Sequence, residues 1–129
     1  MNEINQSPTY LWVGRILSGL VIAFLLFDAG GKLAKIEPVL KSMEELGLPT
    51  SSAATIGILL LVITVMYAIP QTATLGALLL TGYLGGAVAI HLRVGNPLWT
   101  HTLFPVYVGI FLWVGLALRN PKVKDFFWF

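Results

Sequence analysis

Long apolar runs separated by short polar stretches dominate the chain. Four of them, over residues 10–27, 53–69, 74–92 and 102–118, approach the length of about 20 apolar residues that a helix needs to cross a bilayer. Each is on the short side, so flanking residues are expected to complete the span by snorkelling or local thinning. The runs are continuous and do not alternate, which argues against the strands of a β-barrel. The pattern predicts an all-α, integral membrane four-helix bundle, with residues 1–129 as a single transmembrane domain.

The connections are uneven. Only Pro70, Gln71, Thr72 and Ala73 separate the second run from the third, a link short enough to make them antiparallel neighbours. Pro105 falls in the first turn of the fourth helix, where a missing N–H is tolerated. The connection over residues 28–52 has a pattern of its own. Pro38 fits an N1 position, Val39, Leu40, Met43 and Leu46 recur at helical spacing, and Gly47 with Pro49 reads as a stop. Lys41, Glu44 and Glu45 fall largely on the other face. A short amphipathic helix over residues 38–46 is therefore expected between helices 1 and 2, lying at the interface or capping the bundle. Residues 93–101, with Gly95, Asn96, Pro97 and Trp99, read as a turn with an interfacial anchor. The tail over residues 119–129 is basic, then aromatic through Phe126, Phe127, Trp128 and Phe129, and is expected to seek the membrane surface. Residues 1–10 are polar and lack a basic n-region, so the first run reads as a retained helix and not as a cleaved leader.

Composition agrees with lipid as the solvent. Hydrophobic residues make up 57% of the chain and charged residues 11%, against about a quarter charged in a soluble domain. A net charge of +2 without a basic tract gives no support for a nucleic-acid partner. With no cysteine, the chain has no disulfide, thiolate nucleophile or iron–sulfur ligand. Positive charge sets orientation weakly: Arg15, Arg119, Lys122 and Lys124 on one side balance Lys32, Lys35, Lys41 and Arg93 on the other. Only Asp125 opposes the tail cluster, and Lys32 has a local partner, so both termini are expected in the cytoplasm.

Polar groups are the informative minority, because a charge at a transmembrane helix centre costs about 2.5–3.5 kcal/mol. Asp28 and Lys32 are four residues apart at the end of the first helix, on one face and able to pair. His91 ends the third helix, Arg93 follows it, and His101 precedes the fourth. Ser51, Ser52 and Thr55 open the second. The up–down topology gathers these groups at one mouth of the bundle, whereas Arg15, Gln71 and the basic tail mark the other. Asp28, Lys32, His91, Arg93 and His101 are accordingly the candidate ligand-binding residues. Asp28–Lys32 is equally readable as an ordinary helix-end ion pair. His91 and His101 fall short of a metal or haem ligand set, so no metal is expected. Gly82, Gly85 and Gly86, with Ala89, make a small-residue face expected to pack closely inside the bundle. Tyr67, Tyr83 and Tyr107 read as interior hydrogen-bonding groups or belt residues. Trp12, Trp99, Trp113 and Trp128 read as belt anchors, Trp113 the deepest. No nucleophile elbow is present.

The run Arg15-Ile16-Leu17-Ser18-Gly19-Leu20, leading to Phe27-Asp28-Ala29-Gly30-Gly31-Lys32-Leu33, resembles the DoxX-like family of small bacterial membrane proteins. So do Tyr67-Ala68-Ile69-Pro70, the glycine-rich stretch over residues 76–89, Ile90-His91-Leu92-Arg93-Val94-Gly95 and Phe104-Pro105-Val106-Tyr107. The resemblance implies four membrane helices in a bacterial cytoplasmic (inner) membrane. It links the founding relatives to thiosulfate:quinone oxidoreduction and membrane redox assemblies, and others of the superfamily to assembly of membrane receptors. Relatives often carry a glutamate in mid-helix 2, where this chain has Leu60. Three readings follow. The first is a small-molecule-binding subunit linked to quinone or thiol redox chemistry. It has no redox side chain of its own and no evident bound cofactor, so it would take a lipid-soluble molecule such as a quinone, or dock a membrane or soluble protein. The second is a non-enzymatic scaffold or assembly factor, with the amphipathic segment and the glycine face as partner surfaces. A transporter subunit is the third, and it lacks the expected midplane charges and broken helices. Whether the chain catalyses anything is left open.

Overall fold

The computed structural model describes residues 8–127. Six α-helices follow in order: α1 (Pro8–Ala34), α2 (Glu37–Glu45), α3 (Ala53–Ala68), α4 (Ala73–Arg93), α5 (Phe104–Arg119) and α6 (Pro121–Phe127). A 3₁₀ turn at Thr50–Ser52 leads into α3, and a π turn at Leu98–Thr102 leads into α5. No strand occurs among the described residues. With those lead-in turns, α1, α3, α4 and α5 are long and apolar enough to cross a membrane. The expected all-α membrane bundle is therefore present. The four spans form a ring in which α1 packs on α3, α3 on α4, α4 on α5, and α5 back on α1. Leu25, Leu60, Leu80 and Leu112, one from each span, are fully buried at its centre.

The spans are longer than the apolar runs suggest: 27, 19, 21 and 22 residues. The largest difference is in α1, which continues through Asp28–Ala34 where the sequence suggests a connection. Charge is carried there without breaking the helix, because Lys32 reaches back one turn and pairs with Asp28. At about 1.5 Å per residue α1 is about 40 Å long, so it projects beyond a hydrocarbon core of about 30 Å. It ends in a Schellman closure, with Ile36 N–H bonded to the Gly31 carbonyl and Lys35 N–H to the Lys32 carbonyl. Lys35 takes the left-handed position of that motif at φ 55°. The same closure ends α2 at Gly47 and α4 at Gly95, where glycine meets the positive φ without strain. The amphipathic helix forms as expected, and its Met43 is buried. The tail adds α6, anchored by buried Val123. The polar leader over residues 1–7 and the terminal aromatics Trp128 and Phe129 lie outside the described residues.

Lipid is as apolar as leucine, so burial alone gives helices little reason to associate; close packing and hydrogen bonds must do it. The glycines that permit close packing are not the expected ones. Gly82, Gly85 and Gly86 are exposed, and a Cβ on any of them would meet nothing within 4 Å. Their face of α4 looks outward, because Ala73, Gly76, Ala77, Leu80 and Leu84 are the residues this helix buries. The tight contacts are elsewhere. A Cβ on Gly76 would lie 2.4 Å from the Tyr67 amide nitrogen, so α3 and α4 touch backbone to backbone beside their link. One on Gly14 would lie 2.8 Å from Leu118 Cβ, and one on Gly115 2.6 Å from Ser18 Oγ, joining α1 to α5.

Those contacts all sit at the end that carries the α3–α4 link. The same end holds a buried polar network. The Tyr67 hydroxyl donates to the Leu112 carbonyl at 2.5 Å and lies 3.0 Å from Ser18 Oγ. Arg119 Nε donates to Ser18 Oγ, and its terminal nitrogen donates to the Tyr67 carbonyl, each at 3.0 Å. This end of the bundle is thus fastened across α1, α3 and α5.

Candidate functional site

The opposite end is open inside. There a cavity of about 480 Å³ is lined by residues from all five helices α1–α5. Its roof is α2, which with the Leu46 that follows it turns Val39, Met43 and Leu46 onto the cavity while Lys41, Glu44 and Glu45 are exposed. The amphipathic pattern read from the sequence is therefore the pattern of a lid over a cavity. Phe24 of α1 and Phe104 of α5 meet edge to face at 5.4 Å and close one wall. On the α3–α4 side the lining includes Leu59, which is 52% exposed, and the exposed Gly86. On that side residues of the lining also form part of the outer surface of the spans.

Its walls are mostly apolar, and the polar groups converge at the α2 end. Lys32 Nζ donates to Asp28 Oδ1 at 2.5 Å, with both side chains partly buried. Gly57 of α3 leaves room for the lysine stem, since a Cβ there would lie 3.1 Å from both Lys32 Cβ and the Ala29 carbonyl. Partly buried Tyr83 and His91 line the α4 wall, and Ser42 lines the roof. Asn96 Nδ2 lies 2.7 Å from His91 Nδ1 and fixes the ring against the loop that follows α4. The pair Asp28–Lys32 cancels its own charge, so the cavity offers directed hydrogen-bonding groups and little net field. Such a site suits an uncharged molecule with a polar head and an apolar body better than an ion.

Of the five residues singled out in the sequence, Asp28, Lys32 and His91 line this cavity. Arg93 and His101 do not; both are exposed. His101 stays at the rim, its ring 6.2 Å from that of His91, with Nδ1 2.8 Å from Thr100 Oγ1. Ser52 bonds the Pro49 carbonyl and serves the entry to α3. Among the described residues, no group of three or more His, Asp or Glu side chains could hold a metal. Tyr83 carries the addition that sequence reasoning missed. The sequence does not distinguish it from Tyr67 and Tyr107, but those two are used elsewhere: Tyr67 in the network at the far end, Tyr107 donating to the Trp99 carbonyl at 2.8 Å. One usable signal was its place two turns before His91 on the same face of α4. Leu60 is fully buried and outside the cavity lining.

A four-helix membrane bundle, fastened at one end and hollow under an amphipathic lid at the other, is the class of molecule these features define. Residues 16–115 match the profile of the DoxX-like family, and the chain belongs to that family. Comparisons with curated proteins and with solved structures returned no significant match.

Proposed function

We propose that the chain is a small-molecule-binding membrane subunit linked to quinone or thiol redox chemistry, and that the cavity under α2 is its binding site. The observation that carries this reading is the cavity itself, at about 480 Å³. That falls within the ~300–1,000 Å³ usual for small-molecule sites, with apolar walls and a few polar groups at one end. A quinone fits this donor set. Lys32, Tyr83 and His91 can present N–H or O–H groups to its ring carbonyls, and an isoprenoid tail leaves for lipid between Leu59 and Gly86, exposed members of the lining that form the side opening of this reading. The quinone supplies the redox chemistry in this reading; the chain holds and orients it and screens its head from water with α2. The protein sits in a bacterial cytoplasmic membrane with both termini in the cytoplasm, and a soluble or membrane partner exchanges electrons with the bound molecule.

Native mass spectrometry of the full chain purified in mild detergent tests this. The expected result is one lipid-soluble molecule per chain, lost in an Asp28→Asn/His91→Ala variant that still folds. Protein that is empty in both preparations, and that fails to take up added quinone, would contradict it.

A further inference from the structure

A second concavity of about 990 Å³ lies outside the bundle, along the seam between α4 and α5. It runs from Pro105 at the start of α5 to Leu118 near its end, where Tyr10, Lys124 and Phe126 bound it. Residues 105 to 118 are 13 helical rises apart, about 20 Å, somewhat more than the ~15 Å half-thickness of a ~30 Å hydrocarbon core. Two glycines deepen the trough: a Cβ on Gly85 would meet nothing within 4 Å, and one on Gly109 only Leu84 Cδ1, at 3.8 Å. The polar side chains midway along it are turned on the protein: Trp113 Nε1 donates to Thr81 Oγ1, which donates to the Ala77 carbonyl, each at 2.8 Å. What remains for an occupant is hydrocarbon along the length and a cation at one end. Lys124 lies 5.4 Å from the Tyr10 ring centroid, and no described carboxylate pairs with it. Arg15, Arg119 and Lys122 share that end of the molecule, against Asp125 among the described residues.

We propose that this groove is a specific site for one anionic phospholipid of the leaflet that meets the α6 end, with an acyl chain along the α4–α5 seam and the phosphate at Lys124. The groove is long enough to take an acyl chain through one leaflet, its walls match an alkyl chain, and the charge at its mouth matches a phosphodiester. This gives the open glycine face of α4 a use other than helix packing.

The test is native mass spectrometry of the full chain in detergent with phosphatidylglycerol or phosphatidylcholine of identical chains. One phosphatidylglycerol should be retained in preference to phosphatidylcholine. Lys124→Gln should lower that preference about fivefold, the effect of one interfacial lysine. Gly85→Leu should fill the trough and abolish retention of both lipids, and Lys41→Gln at the other end should change nothing. In a variant keeping Trp113 as its only tryptophan, bromine-labelled phosphatidylglycerol should quench the fluorescence, which decides the matter if Gly85→Leu does not fold. Equal retention of both lipids, no response to Lys124→Gln, an unquenched Trp113, or a dimer that Gly85→Leu dissolves would each overturn the proposal.

Discussion

Arg119 lays its guanidinium over the Tyr67 ring, 5.0 Å from the centroid, and donates a hydrogen bond to the Tyr67 carbonyl at 3.0 Å. That carbonyl belongs to the last turn of α3, where no intrahelical N–H remains to satisfy it. A cation placed there also meets the negative end of the helix dipole. The last residue of α5 therefore closes the end of α3, and through Ser18 it reaches α1 as well.

Arg119→Met should destabilise the bundle by about 2 kcal/mol, through lost charge-assisted hydrogen bonds and the lost ring contact. Arg119→Lys should recover only part of this, because an ammonium cannot present the guanidinium's fork to two acceptors. Thermal unfolding in detergent followed by circular dichroism reads both variants. Full rescue by lysine would show that charge alone matters at this position.

Gly76 and Gly82 should respond oppositely to the same change. Gly76→Ala drives a methyl into the Tyr67 backbone, and forced separation of packed elements costs about 1–3 kcal/mol. Gly82→Ala meets open space and removes a helix-weakening glycine, a gain of up to about 1 kcal/mol. Midpoints of unfolding for the two variants check this; equal losses would mean that the α4 glycine face is packed after all.

Lys35 sits at φ 55° in a position that favours glycine. Lys35→Gly should stabilise the protein by about 1 kcal/mol by removing the left-handed penalty. The side chain is exposed and outside the cavity lining, so ligand retention should not change. A lower unfolding midpoint would show that the lysine makes a contact worth more than its strain.

Much of this was legible in the sequence, and the reasons for the rest are physical. Unbroken apolar runs announce spans because lipid demands them, and Gly47 after Leu46 announces the end of α2. The length of α1 was hidden by Asp28 and Lys32, whose charges suggest a boundary until they are seen to neutralise each other along one face. Topology alone placed Asp28, Lys32 and His91 at one mouth. It could not separate them from Arg93 and His101, because which side of a helix end faces inward depends on packing. The glycines show the same limit most sharply. Gly82 and Gly86 have the spacing of a packing motif, while the isolated Gly14, Gly76 and Gly115 make the close contacts. A spacing rule cannot tell an inward face from an outward one when both faces of a span are apolar.

The most direct test of the central claim is photolabelling with an azido-quinone, followed by peptide mapping, in the wild type and in Gly86→Leu. Gly86 lines the cavity and has open space beside it, so leucine there should block the side opening without disturbing the fold. Label on α4 near Tyr83–His91 and on α2 near Met43, competed by unlabelled quinone and at least tenfold weaker in Gly86→Leu, is the predicted result. Label spread along the lipid-facing spans, without competition and equal in the variant, would show that the cavity under α2 does not hold a quinone.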